Sequence, residues 1–152
     1  MTGSAHTLDS DIKSRLQEAW QGEVFGMAMY SAIAEQQPDA FRRWQWLALH
    51  QLEVETGAAM RQLLLRYDLP VVELEESKRL GIAEATRIVA LPWQDMMKAF
   101  ADDLPATIDD YRTLERACAF IGHDAAAMRL LVDHEVACLL YTSDAADDTP
   151  CV

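Results

Sequence analysis

The chain has 152 residues, 51% of them hydrophobic, with a formal net charge of -12 and a pI near 4.6. That length and apolar content suffice for one domain with a packed core and exclude a disordered chain. The charge sets most of the surface against nucleic-acid phosphates and anionic lipid, and no apolar run is long enough to span a bilayer, so neither nucleic acid nor membrane is an expected partner.

The first ten residues lack a charged segment followed by an apolar one, so no signal peptide is expected. Cys118, Cys138 and Cys151 form neither a CxxC pair nor a disulfide framework. Both features predict a reducing, cytoplasmic setting.

Asp9 and Ser10 are good N-caps for a first helix that ends at Gln36-Gln37-Pro38. Its apolar stripe is Ile12, Leu16, Ala19, Trp20, Met27, Tyr30 and Ala34, and Glu23 stands in the gap. Gly22 and Gly26 weaken the helix but allow close backbone approach. Asp39 caps a second helix over 40–67, whose face reads Trp46, Leu49, Glu53, Thr56, Met60, Leu63. The short connection makes the helices antiparallel neighbours, and folding about Pro38-Asp39 sets Glu23 level with Glu53. A carboxylate within an apolar stripe is costly unless it is paired or binds a metal.

Asp68-Leu69-Pro70 stops the second helix. Residues 71–91 are charged, with a narrow stripe of Leu74, Leu80, Ile82 and Ile88, and read as a partly helical surface crossover. Some twenty helical residues reach roughly 30 Å, which returns the chain to its starting end, so the third helix runs parallel to the second. Pro92 suits that helix's first turn and Asp95 its N-terminal charge. Its stripe is Met97, Phe100, Leu104, Tyr111, Leu114, Cys118 and Ile121, with Pro105 expected to kink or break it and Gly122 to close it. Asp124 is placed to cap a fourth helix with the stripe Ala125, Met128, Leu131, Val132 and Leu139, Glu135 among them and His134 beside it. Residues 138–152 read differently: they resemble translated sequencing-adapter read-through, which would cut the native chain near Ala137 and make 138–152 a non-native tail.

Paired helical hairpins joined by a long crossover, with Glu23, Glu53 and Glu135 facing inward, resemble the ferritin-like superfamily and its rubrerythrin-like members in particular. The resemblance covers most of residues 9–137 and implies one all-α domain over 1–137. The fold it implies is an antiparallel four-helix bundle with a long, partly helical crossover between the second and third helices. In that family each half of the bundle gives a Glu from one helix and a Glu-x-x-His from the next, and the carboxylates bridge irons capped by the histidines.

Carried over residue by residue, the resemblance makes Glu23 the lone glutamate, Glu53 and Glu135 the motif glutamates, and Tyr30 the tyrosine often found near the site. Thr56 and Cys138 stand at the motif histidine positions, and Asp103 is the nearest counterpart of the third helix's glutamate. His50 and His134 are substitute ligands off the family's positions; the simpler reading makes both core-edge or surface histidines. The simpler reading of the glutamates is a stripe edge reaching solvent or an arginine, and of Asp103 a solvated acidic turn.

The resemblance implies non-haem iron, dinuclear in the family, and redox, oxygen or iron-handling chemistry. An enzyme of this kind is a diiron oxidoreductase with a redox partner. The alternative is a metal-free, degenerate ferritin-like bundle that serves as an interaction or homo-oligomerisation module, its glutamates protonated or held by Arg61 or Arg112.

Overall fold

The computed structural model describes residues 7–147; the stretches on either side, Cys151 included, lie outside the described residues. Within them are five α-helices and no strand: α1 (Ser10–Glu35), α2 (Ala40–Arg66), α3 (Glu75–Val89), α4 (Trp93–Cys118) and α5 (Gly122–Asp147). None of these is long and apolar enough to cross a membrane.

The helix starts follow from local chemistry. The Asp9 carboxylate accepts from the Ile12 N–H and the Asp39 carboxylate from the Arg42 N–H, each at 2.8 Å, which satisfies a donor left open in each first turn. α2 ends in a left-handed turn at Asp68, with φ 53°. There the Asp68 N–H donates to the Leu65 carbonyl and the Leu69 N–H to the Leu64 carbonyl, closing the last turn before Pro70. Aspartate tolerates that backbone region better than most residues.

α1 pairs with α2 and α4 with α5; α2 also meets α5, and α3 lies along α1. The apolar core forms two clusters. One joins Tyr30 and Ile33 of α1 to Trp46 of α2, Met97 and Phe100 of α4, and Cys138 of α5. The other joins Leu16 and Trp20 of α1 to Met60 and Leu63 of α2, Leu114 of α4, and Met128 and Leu131 of α5. The order of these residues along each helix makes α1 and α5 run one way and α2 and α4 the other, which is the parallel arrangement expected for the second and third long helices.

The crossover departs from its expected stripe. Ile88 is buried as expected, but Leu74, Leu80 and Ile82 are exposed, and α3 buries Gly81 and Ala85 instead. The reason is backbone proximity. A Cβ at Gly81 would run into the Phe25 carbonyl oxygen, so only a residue without a side chain lets α3 dock this closely on α1. The strand of chain before α3 is tied to α1 as well: the Trp20 indole N–H and the Gln21 side-chain amide both donate to the Val72 carbonyl.

Pro105 does not break α4, which continues to Cys118. Gly122 does not close that helix either. α4 stops at Ala119, itself left-handed with φ 48°; Gly122 opens α5, and Ile121 between them is exposed. Asp124 lies in the first turn of α5, where its carboxylate accepts from the Arg66 guanidinium and the Tyr67 hydroxyl and ties α5 to the end of α2. Residues 138–147 continue α5, with Cys138 and Thr142 fully buried.

Candidate metal centre

A polar layer separates the two apolar clusters. α1 contributes Glu23, α2 contributes Glu53 and Thr56, and α5 contributes His134 and Glu135. The His134 Nε2 lies 3.4 Å from Glu53 Oε1, 3.6 Å from Glu23 Oε1 and 3.6 Å from Glu135 Oε1. Donor atoms of Glu23, Glu53 and His134 all fall within 4.8 Å of one another, and all three residues are buried.

Burial here is poorly compensated. Among the described residues, Glu23 Oε2, Thr56 Oγ1 and both ring nitrogens of His134 have no hydrogen-bond partner. Among the described residues no lysine or arginine pairs with Glu23, Glu53 or Glu135; Arg112 pairs with Asp109 and Arg61 is exposed. Buried polar atoms without partners cost about 1–3 kcal/mol each, more when charged, so the layer calls for a cation or for protons.

Proton affinities follow from this crowding. Burial holds the Glu23 carboxyl well above the ordinary range, and repulsion from Glu53 and then Glu135 adds to it. Burial likewise pushes Glu135 up to about 7, with His134 opposing and Glu53 adding to the rise. For His134 burial acts downward, but Glu53 and then Glu135 outweigh it, so the imidazolium is favoured over its usual range.

Two glycines make room for the layer. The Glu53 carboxylate fills the space that a side chain on Gly26 would need: a Cβ there would lie 2.7 Å from the Glu53 carboxyl carbon. One turn earlier a Cβ on Gly22 would lie 2.7 Å from the Tyr111 hydroxyl. Tyr111 is the polar group that α4 turns toward the layer, and burial followed by the charges of Glu23, Glu135 and Glu53 keeps its phenol protonated well past the usual range. Tyr30 is also buried, in a triangle of rings with Trp46 and Phe100, and burial raises its pKa in the same way.

Other residues singled out in the sequence lie around this layer. Thr56, fully buried, follows Glu53 by one turn, and Cys138 follows Glu135 by one turn. His50 is half-buried one turn before Glu53 and is not part of the converging group. Asp103 is exposed and contributes no carboxylate to the layer; it sits at the rim of a cavity, near Arg87.

His134 is the residue that the stripe reading undervalued. The buried seam of α5 runs Leu131, His134, Cys138, Thr142, spaced three, four and four residues apart, so His134 lies on its centre line. A stripe drawn through Met128, Val132 and Leu139 passes through Glu135 instead. Both residues face inward because consecutive positions lie about 100° apart on a helix whose covered face is wider than that.

A cavity of about 330 Å³ enters between α1, α3 and α4 and ends at Glu53 and Glu135. The Arg87 guanidinium, held by Glu84 on α3, stands at its mouth with Asp103. No protein-family model, curated protein or solved structure matches this chain.

Proposed function

We propose that the chain is a ferritin-like four-helix bundle whose polar layer holds a divalent redox metal, iron or manganese, and serves oxygen, peroxide or iron-handling chemistry. The observation that carries this reading is the convergence of Glu23, Glu53 and His134 donor atoms from three helices, buried and without a lysine or arginine partner among the described residues. Glu135 stands within reach as a further oxygen ligand. Carboxylate oxygens with one imidazole suit iron and manganese better than the softer metals. With Glu135 the set has three carboxylates and one imidazole, four ligands against the family's six, because α4 gives a tyrosine where a carboxylate is expected and Thr56 and Cys138 stand at the motif histidine positions; it fits one ion per chain.

When bound, such a metal would supply one-electron chemistry to oxygen or peroxide. The protein's own part is the remainder. Apolar clusters pack on both sides of the layer. In the metal-free layer the Glu135 carboxyl, with its pKa pushed up to about 7, holds a proton for about half the time at neutral pH, and it faces the cavity. The Tyr111 hydroxyl is a second proton donor beside it.

A metal-free layer that shares protons is the second reading, supported by the missing α4 carboxylate and by Thr56 and Cys138 at the motif histidine positions. In that reading the exposed, stacked Phe41 and Trp44 on α2 provide a face for self-association. Thermal unfolding with Mn(II) against excess chelator separates the two. A resident site adds about 2.7 kcal/mol at a hundredfold excess over Kd, and His134→Ala removes most of that gain. Equal melting of the parent with metal and with chelator supports the second reading.

A further inference from the structure

We propose that the cavity ending at Glu53 and Glu135 binds a small, uncharged, largely apolar organic molecule of one or two rings, its polar group toward Tyr111 and Glu135. At about 330 Å³ the space lies at the lower end of ligand pockets and would otherwise enclose about ten waters. Its walls suit an apolar body: Phe25, Met29, Ile88 and Phe100 line it. Its floor is the glycine face of α1. Gly22 and Gly26, one turn apart, both line the cavity, and side chains there would collide with Tyr111 and Glu53, so the glycines let these two polar groups reach the closed end. Each glycine costs α1 about 1 kcal/mol of helix propensity relative to alanine, so this close approach is kept against local preference.

Charge sets the class of ligand. Four carboxylates line the cavity (Glu53, Glu84, Asp103 and Glu135) against the single guanidinium of Arg87, which Glu84 already holds in a two-bond pair. An anion entering this space loses its water and meets net negative charge, whereas a neutral molecule loses little. The Tyr111 hydroxyl and the Glu135 carboxyl offer a donor and an acceptor at the closed end for one polar substituent. As the substrate seat of the metal centre this assignment rests on the metal reading; binding in the cavity does not.

The test is isothermal titration of the chelator-treated protein with 4-ethylphenol and, separately, with the similarly shaped anion 4-ethylbenzoate. Ala99→Trp and Thr107→Phe, each filling the cavity from α4 away from the carboxylate layer, are run alongside after their helical content and iron uptake have been checked. The expected result is saturable binding of the phenol, about tenfold or more weaker binding of the benzoate, and about tenfold or more weakening in both variants. Phenol binding without iron uptake rejects the metal reading and leaves this proposal standing. Absence of saturable phenol binding in the folded parent, equal affinity for the benzoate, or unchanged affinity in both filled variants overturns it.

Discussion

The metal-free protein loses stability as pH rises from about 5.5 to 8, and Glu135→Gln removes that residue's share of the change below pH 7. The buried Glu135 carboxyl holds its proton up to about pH 7, while the unfolded chain releases it near the ordinary 4.5. Between those values the native state carries the extra proton. Its contribution is therefore complete below the unfolded pKa and is lost as pH climbs through the folded one. From pH 5.5 to 7 the loss from Glu135 alone is about 2 kcal/mol, following 1.36 kcal/mol per pH unit. Glu23, also raised by burial, and His134, raised by Glu53 and Glu135 against its burial, act with the same sign. Metal acts with the opposite sign, because ligands must shed protons to bind it, so the gain from added metal grows over the same range. Urea midpoints at both pH values, with chelator, give the answer. Constant or rising stability in the metal-free parent means that the layer is not a shared-proton site.

Trp46→Ala lowers stability by about 3–5 kcal/mol, the range for deleting a large buried aromatic. The ring is fully buried and packs against Tyr30, Phe100 and Trp93 at centroid distances of 5.8, 5.5 and 6.2 Å. It fastens α2 to α1 and α4 at one end of the core, where the Arg42 guanidinium also lies over the Trp93 ring at 4.2 Å. Trp46→Phe should cost far less, because the indole N–H has no partner among the described residues and its removal lifts a burial penalty that offsets part of the lost volume. Urea unfolding with an unchanged slope measures both. A loss under about 1 kcal/mol in the alanine variant would show that this end of the core collapses around the gap.

Much of the fold was legible because its signals are local. Asp9 and Asp39 are caps that need only their own first turns, and the spacing through Leu16, Trp20 and Tyr30 marks a buried face whatever it meets. The shared level of Glu23 and Glu53 followed from the hairpin length alone. The docking face of α3 was not legible, because hydrophobic patterning weights Leu80 and Ile82 over Gly81 and Ala85, whereas the fit depends on the absence of side-chain volume against the Phe25 backbone. Gly122 looked like a helix stop because glycine commonly is one; here Ala119 takes the left-handed position three residues earlier. At the site, His134 required knowing which of two adjacent lines on α5 is central, and that is set by contacts from α1 and α2. That α4 brings Tyr111 rather than Asp103 to the layer depends on helix rotation, which stripe residues constrain only loosely.

The most direct test of the metal centre is iron content after anaerobic Fe(II) loading and desalting, in the parent and in Glu53→Ala. Removing Glu53 takes away a central carboxylate and one of the charges that crowd His134 and Glu23. The expected result is about one iron per chain in the parent and a loss of nearly all of it in the variant, with helical content unchanged in both. A folded parent that retains no iron, or a variant that retains as much as the parent, would contradict it.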